Sequence, residues 1–389
     1  MSIQAKAVAG LLGTSFAGYV GYKSYNYTRE MWKLFNQEDE TDAITLKRIE
    51  DAYKTLNAHP ECNSLLKKHL TRDVIDKLKY KKTKLGATLY DVIRSGVYNL
   101  DAGIGVYAPD AQSYKTFSAL FDPIIQEYHG FTPNDKQPPV DLGEGKTEEL
   151  APLDPSNKYI ISTRIRCGRT LKGYPFNPLL TGDDYLIMQE KVKRALAAFQ
   201  DKDLKGTYYP LDGMTKQVQN QLIKGITFCS RKATDIFNKR MLAVTGHLYG
   251  RGIYHNNDKT FLIWVNEEDH MRIISMEEGS NVGKILDRLN RGIKTIESQV
   301  PFARDERLGW LTFCPTNLGS TVRASVHIRL PKLSAKSDFK KVCEDLNLQV
   351  RGIHGEHSES EGGVYDISNK APFGYDGVKK LIELEKAAA

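Results

Sequence analysis

The chain predicts an α+β protein of two unequal parts, a small all-helical N-terminal domain and a larger domain of mixed strands and helices. Three observations carry this. Residues 41–95 repeat apolar side chains at helical spacing with no β-alternation, residues 133–155 are rich in Pro and Gly, and strand-like runs appear only beyond them. At 389 residues there is length for two or three domains, and 40% hydrophobic with 26% charged residues is a globular composition.

In the first part, Thr41-Asp42 can cap a helix bearing Ile44, Ile49 and Tyr53, and Leu65-Leu66, Leu70 and Val74-Ile75-Leu78 continue the helical period. A loop follows, Asp101-Ala102-Gly103-Ile104-Gly105-Val106-Tyr107. Two Gly one residue apart let a backbone approach a ligand closely, and they equally suit a surface turn. Prolines 133, 138, 139, 152 and 155, with Gly143 and Gly145, read as a linker.

The second part opens on a strand, Tyr159–Arg166, in which Arg164 and Arg166 are two apart and so share a face. That pair suits phosphate oxygens or a salt-bridged sheet face. Thr260–Val265 is an apolar strand ending at Asn266-Glu267-Glu268-Asp269-His270, after which the chain returns through Met271-Arg272-Ile273-Ile274 as a hairpin. Leu348–Arg351 is a short strand ending in Arg, followed by an acid-rich loop with Gly at both ends, 352–363, that contains Glu356 and suits either a lid or an inert loop. In Leu311–Ile328 an apolar run ends at Cys314, Pro315 and Asn317-Leu318-Gly319 turn the chain, and a second strand begins. On it Thr321, Arg323, Ser325 and His327 share one face, and Val322, Ala324, Val326 and Ile328 the other. A cation, a hydroxyl and an imidazole beside a thiol are an unusual load for a strand unless it lines a site.

Arg164, Arg166, Arg272, Arg323 and Arg351 thus sit on or at the ends of strands. Five converging cations need an anion, and a triphosphate with Mg²⁺ supplies one. No Gly-x-x-x-x-Gly-Lys-Ser/Thr and no His-Arg-Asp set is present, so the nucleotide is held by neither of those devices. Glu268 and Glu356 can offer planar carboxylates to a guanidinium. Net charge is +7, but basic runs interleaved with aromatics and zinc-finger spacings are absent, which argues against nucleic acid as a partner. Five scattered cysteines read as reduced thiols.

The motifs Ser-Thr-Arg-Ile-Arg (162–166), Asn-Glu-Glu-Asp-His-x-Arg (266–272), Cys-Pro-Thr-Asn-Leu-Gly (314–319) and Val-Arg-Gly (350–352) resemble those of the phosphagen (ATP:guanidino) kinases. The resemblance runs from about Asp42 to the C-terminus. It implies a helical domain over 39–134, a linker over 135–156, and over 157–389 a catalytic domain with a large antiparallel sheet flanked by helices. It assigns Arg164, Arg166, Arg272, Arg323 and Arg351 to ATP or ADP phosphates, with Mg²⁺ carried on the nucleotide and no protein metal site. It makes Glu268 the catalytic carboxylate, sets Cys314 against the guanidinium as a thiolate in a field of cations, with the Thr316 hydroxyl nearby, and places His327 near adenine. The Ala102-Gly103-Ile104-Gly105 loop, Tyr107 and Glu356 look like the arginine-kinase pattern, in which the loop closes on the substrate's carboxylate and amine. The implied reaction is reversible transfer from ATP to L-arginine by a cytoplasmic monomer. Taurocyamine and lombricine are the alternative acceptors, and a catalytically weak scaffold protein is a reading from another class.

Two regions stand apart. Lys224-Gly225-Ile226 and Thr245-Gly246-His247-Leu248 depart from the family's Asp-Asp-His and Arg-x-Trp-Pro, which points to a weakened adenine pocket. Residues 1–38 are an extension, and residues 1–29 hold no acid. The sixteen uncharged residues Ala7–Tyr22 suit a mitochondrial leader, a membrane tether or an inert extension.

Overall fold

The computed structural model describes residues 41–139, 141–226, 249–352, 362–369 and 375–387. In the first stretch the helices are Ala43–Ala58, Leu65–His69, Arg72–Leu78, Leu89–Tyr98, Ser113–Thr116 and Ser118–His129. Local chemistry sets their ends. Asp42 accepts the Thr45 N–H at 2.9 Å, Ser64 and Thr71 cap the next two, and Thr88 with Asp91 forms a reciprocal capping box. Gly130 closes the last helix at φ +68°, a left-handed angle that favours glycine. Ile49, Leu66, Ile75, Val92, Phe117 and Phe121 are fully buried in its core. That core continues into Phe176, Ala303, Leu308 and Leu311 from much later in the chain, so the helical part shares one hydrophobic cluster with the remainder.

The stretch between the two parts is pinned in place. Its Leu142 carbonyl accepts from Asn290 Nδ2 at 2.9 Å, and the Leu153 N–H donates to Ser280 O at 3.2 Å. At Gly283 an added Cβ would lie 2.2 Å from the Thr147 carbonyl, so only glycine lets the helix Val282–Glu297 approach this segment.

The large sheet is antiparallel. Its strands are β1 (Ile160–Arg169), β2 (Gly206–Pro210), β3 (Gly252–Asn256), β4 (Phe261–Val265), β5 (Met271–Glu278), β8 (Arg323–Arg329), β9 (Leu348–Gly352) and β10 (Val364–Asn369). Their order is β2-β3-β4-β5-β1-β8-β10-β9. Two short strands, β6 (Arg304–Asp305) and β7 (Gly309–Trp310), pair separately. Ile165, Cys167, Ile263, Val265, Met271 and Ile273 point to one face, where they pack with residues of the helices Gly182–Ala197 and Val282–Glu297. Farther along, Val326, Ile328, Leu348 and Ile367 form a cluster with residues of the helices Phe339–Asp345 and Tyr375–Ala387.

On the opposite face the two halves differ. Ile253, Leu262, Trp264, Ile274 and Met276 cluster with Leu222 of the helix Lys216–Ile226. The β1-β8-β10-β9 half instead carries polar and charged residues, and that is where the candidate site lies. Thr321 differs from its expected place. It precedes β8 with φ +59°, and its hydroxyl accepts from Arg169 Nη1 at 2.6 Å and donates to the Gly168 carbonyl at 2.9 Å. The left-handed turn takes Thr321 out of the strand's alternation.

Candidate active site

Strand register gathers the arginines. Arg166 on β1 lies opposite Arg323 on β8, and Gly168 opposite Arg272 on β5. Arg164 is opposite Ser325, and Ser162 opposite His327. One strand farther, Asp366 of β10 lies between His327 and Arg351. Directly opposed residues share a face, so all five arginines and His327 project from the same side of the sheet.

Their partners are uneven. Arg272 Nη1 lies 3.0 Å from Glu267 Oε2, its Nη2 donates to Glu268 Oε2, and its guanidinium stacks 5.6 Å from the Trp264 ring centre. Arg164 stands 3.7 Å from Asp366 Oδ2, and Arg323 donates to Ser368 Oγ at 2.6 Å. Arg351 donates to Gln349 Oε1 at 3.3 Å. Arg166 has no carboxylate within salt-bridge distance among the described residues. Burial first, and then the charges of Arg272, Arg164 and Arg323, pull its pKa well below the usual arginine range. A half-buried cation facing three others, with Glu268 opposing them, is a site for a multiply charged anion.

The carboxylates come from the turn between β4 and β5. Asn266 begins it at φ +57°, and its N–H donates to the His270 carbonyl at 2.8 Å. Glu267 is buried against Arg272, whereas the Glu268 side chain keeps about a third of its surface exposed. Asp269 is buried, its Oδ1 accepts the Phe313 N–H at 3.3 Å, and burial pushes its pKa up to about 7 against the pull of Arg272. Burial holds His270 down near 4. Its Nδ1 accepts the Leu171 N–H at 2.9 Å, so its Nε2 donates to the Pro175 carbonyl at 2.9 Å, and the ring is a structural strut.

Cys314 Sγ lies 3.1 Å from the Thr316 hydroxyl at the start of a 3₁₀ turn, Pro315–Asn317. The surroundings of the thiol oppose the expected thiolate. Burial pushes the thiol up to about 11, and the negative charges of Asp269 and Glu268 push the same way. Its alkylation by iodoacetamide is therefore expected to be slow at pH 7 and to rise about tenfold per pH unit up to pH ~10, as the thiolate fraction grows. A rate already level above pH 8 would show a depressed thiol instead.

The helical part closes the site. Tyr107 stacks on Phe313 with ring centres 5.3 Å apart, and burial followed by the charges of Cys314 and Glu268 raises its phenol pKa. The Ala108 N–H donates to the Phe313 carbonyl at 2.7 Å, and Tyr114 OH to the Thr312 carbonyl at 2.8 Å. In the loop, the carbonyls of Gly103 and Ile104 accept the Leu65 and Leu66 N–H groups at 2.9 Å each, and the Ala102 N–H closes onto Asn99 O. The N–H groups of Gly103, Ile104 and Gly105 form no hydrogen bond among the described residues. Gly105 is required, since its φ is +78° and a Cβ would stand 2.8 Å from Leu66 Cβ.

Comparison with known proteins follows this geometry. Residues 60–126 match the family model of the ATP:guanido phosphotransferase N-terminal domain, and residues 187–388 that of its C-terminal catalytic domain. A protein of Caenorhabditis elegans described as a probable arginine kinase is 63% identical over 354 residues, 88% of this chain and 89% of that one. The arginine kinase of Limulus polyphemus is 54% identical over 363 residues, 90% and 99% of the two chains. The chain belongs to the ATP:guanido phosphotransferases. Among solved structures of the family, a lombricine kinase superposes with a TM-score of 0.75 at 37% identity, covering 86% of this chain and 93% of that one. The duplicated taurocyamine kinase of Schistosoma mansoni, with bound transition state analogue components, gives 0.77 at 36% identity over 87% of this chain, which spans about half (48%) of that protein.

As an ATP:guanido phosphotransferase, the chain brings Arg164, Arg166, Arg272, Arg323, Arg351, Glu268, Cys314, His327, Tyr107 and the 102–105 loop into one fold. Glu356, the departures at 227–248 and the 1–38 extension lie outside the described residues, as do the side chains of Lys224 and Ile226. Sequence reasoning passed over Trp264, Asp269, Asp366 and Asn177. Trp264 and Asp366 carry a period-two signal, being on strands, but only the cross-strand register sets them beside Arg272 and His327. Asp269 lay within the acidic turn already singled out, and its burial distinguishes it from Glu268. His327 sits 3.0 Å from Ser162 Oγ, and burial lowers its pKa.

Proposed function

We propose that the chain reversibly transfers the γ-phosphoryl group of ATP to the guanidinium of L-arginine, giving phosphoarginine and ADP. The observation that carries this is the convergence of Arg164, Arg166, Arg272, Arg323 and Arg351 on one sheet face beside the Glu268 carboxylate. Arg164, Arg166, Arg272, Arg323 and Arg351 would hold the phosphates and stabilise charge on the transferring group. Glu268 would receive the guanidinium as a planar pair, with Glu356 joining it from the 352–363 loop. One guanidino nitrogen then forms a bond to the γ-phosphorus as the bond to the β–γ bridging oxygen breaks, and the nitrogen's proton passes to one of these carboxylates.

Cys314 as a neutral thiol, with Thr316, lines the side the guanidinium would enter. Arrival of that cation would favour the thiolate expected from sequence. The N–H groups of Gly103, Ile104 and Gly105, unbonded among the described residues, suit the substrate's carboxylate, and Tyr107 its amine. His327, held by Ser162, would border adenine. Mg²⁺ would enter on the nucleotide, and no cluster of three or more His, Cys, Asp or Glu able to hold a metal occurs among the described residues. The domain limits would be 39–134 and 157–389 with a linker over 135–156, and the molecule a cytoplasmic monomer.

Relatives described as arginine kinases favour arginine. The fold likeness to taurocyamine and lombricine kinases keeps those acceptors as the second reading. No helix among the described residues is long and apolar enough to cross a membrane. A leader or tether in residues 1–29 stays a separate proposal, tested by fractionating cells that express the chain with and without that segment.

The deciding assay is transfer from Mg·ATP to L-arginine, creatine, taurocyamine and lombricine, by wild type and by Glu268→Gln. Turnover with arginine, and a fall of about 10²-fold or more in the variant, is expected. Turnover with taurocyamine or lombricine alone would move the chain to the second reading. None with any guanidine would leave a binding or scaffold protein.

A further inference from the structure

Residues Pro175–Leu179 lie between the helical domain and the turn that carries Glu268, and both sides hold them. From the helical side, the Arg94 guanidinium donates to the Pro178 carbonyl, and the Pro109 carbonyl accepts the Phe176 N–H at 2.6 Å. Phe176 is fully buried in the helical domain's core. From the other side, Asn177 Nδ2 donates to the Glu268 carbonyl at 3.2 Å, and the Pro175 carbonyl accepts from His270 at 2.9 Å. Phe176 also meets the His270 ring edge-on at 6.1 Å. Two prolines fix φ here, and a 3₁₀ turn over Asn177–Leu179, closed by Leu179 N–H to Phe176 O at 2.9 Å, stiffens the segment.

Arg94 stands on the helix Leu89–Tyr98, which also carries the substrate loop. The Val92 carbonyl of that helix accepts the Tyr107 N–H at 3.0 Å. A Cβ on its Gly96 would lie 2.3 Å from the Gly105 carbonyl, so helix and loop are in backbone contact. One helix thus supports the loop at 102–107 and, through Pro178 and Asn177, the backbone of Glu268. Within the turn the Asn266 N–H bonds the His270 carbonyl and Arg272 holds the Glu267 and Glu268 side chains, while Asn177 reaches the Glu268 backbone carbonyl from outside it.

We propose that residues 175–178 are a rigid strut through which the helical domain sets Glu268, with Arg94 and Asn177 as positioning residues for that carboxylate. Displacing a reacting group by about 1 Å can cost up to about 10²-fold in rate, so a strut of four hydrogen bonds is worth more to catalysis than to folding. This rests on the phosphotransferase reading for its catalytic consequence, but its mechanical content does not.

The test uses the full chain. Arg94→Ala and Asn177→Asp, which keeps the shape of Asn but removes its donor, are each expected to lower kcat about tenfold, with KM for Mg·ATP changed less than twofold. Arg94→Lys should restore most of the loss. The double variant should be no slower than the worse single one, because both act through one path. Independently of activity, hydrogen exchange of residues 266–271 should quicken in Arg94→Ala, although Arg94 touches none of them. Unchanged kcat, losses that multiply, or wild-type exchange over 266–271 would each overturn the strut. A wild type inactive toward every guanidine would overturn the phosphotransferase reading alone, and the exchange arm would still decide the strut.

Discussion

Arg166→Met is expected to abolish phosphoryl transfer and at the same time raise the melting temperature of the ligand-free protein. The two signs have one cause. Arg166 is a half-buried guanidinium facing Arg164, Arg272 and Arg323, and burial and those three charges pull its pKa down further than Glu268 raises it. Without an anion its charge is a net cost. Replacing whole buried ion pairs by apolar side chains has stabilised other proteins by about 1–4 kcal/mol, and for one half-buried cation the low end is expected, a rise of a few degrees for a domain of this size. With nucleotide bound the balance reverses, since an arginine on a transferring phosphoryl group is worth about 10³-fold or more in rate. The measurement is a pair of melting curves, with and without Mg·ATP, beside a turnover assay. Wild type should gain stability from Mg·ATP by mass action, and the variant should start higher and gain less. A variant that melts lower than wild type without nucleotide would mean that Glu268 already compensates the Arg166 charge.

What could be read from sequence was whatever alternates locally. Arg164 with Arg166, and Arg323 with His327, share faces because strands have a period of two, and the turn at 266–270 was visible as polar residues between two apolar runs. The order β5-β1-β8 was not visible, because neighbours in the sheet are far apart in the chain. It is this order that sets Arg166 against Arg323 and Arg164 against Ser325, whereas Arg272 meets Glu267 and Glu268 within its own hairpin. The surroundings of the Cys314 thiol were not visible for the same reason. The cations are on the sheet face, while Cys314 is half-buried, and the charges of Asp269 and Glu268 act with burial to raise its pKa. Thr321 left the strand pattern for a left-handed turn tied to the buried Arg169, a contact between residues 152 apart. Nor did the Pro-rich stretch reveal a shared core, since Phe176, Leu308 and Leu311 join the helical cluster from beyond it. The acceptor chemistry came from the resemblance of whole motifs, because a single arginine or carboxylate on a strand has too many ordinary explanations.

Arg272→Ala should also abolish transfer, but with the opposite effect on stability. Arg272 is the cation that lets the acidic turn exist. It reaches Glu267 at 3.0 Å and Glu268 with separate nitrogens, it lies over Trp264, and its side chain is only 11% exposed. Removing it leaves the buried Glu267 carboxylate without that partner, and breaking a buried pair from one side costs about 3–5 kcal/mol. Lysine should rescue little, because one ammonium cannot reproduce a fork that spans two carboxylates. The pH dependence gives a second reading of the same variant. Asp269 titrates near 7 in the folded protein, above the ordinary carboxylate range, because burial outweighs the opposing pull of Arg272. A folded-state pKa above the unfolded one means that the native state binds more protons, so this group's contribution to stability falls as pH rises from about 4 to 7. Without Arg272 that pKa moves higher still, and the window extends upward. The destabilisation of Arg272→Ala should therefore be largest near pH 8 and shrink as pH is lowered toward 5, in urea titrations run against wild type at each pH. A loss of stability that does not change with pH would place the role of Arg272 in packing on Trp264 and not in neutralising the turn. Because Arg166→Met and Arg272→Ala both remove one guanidinium from the same face, a fall in stability for one and a rise for the other would separate the arginine that waits for phosphate from the one that holds the carboxylates in place.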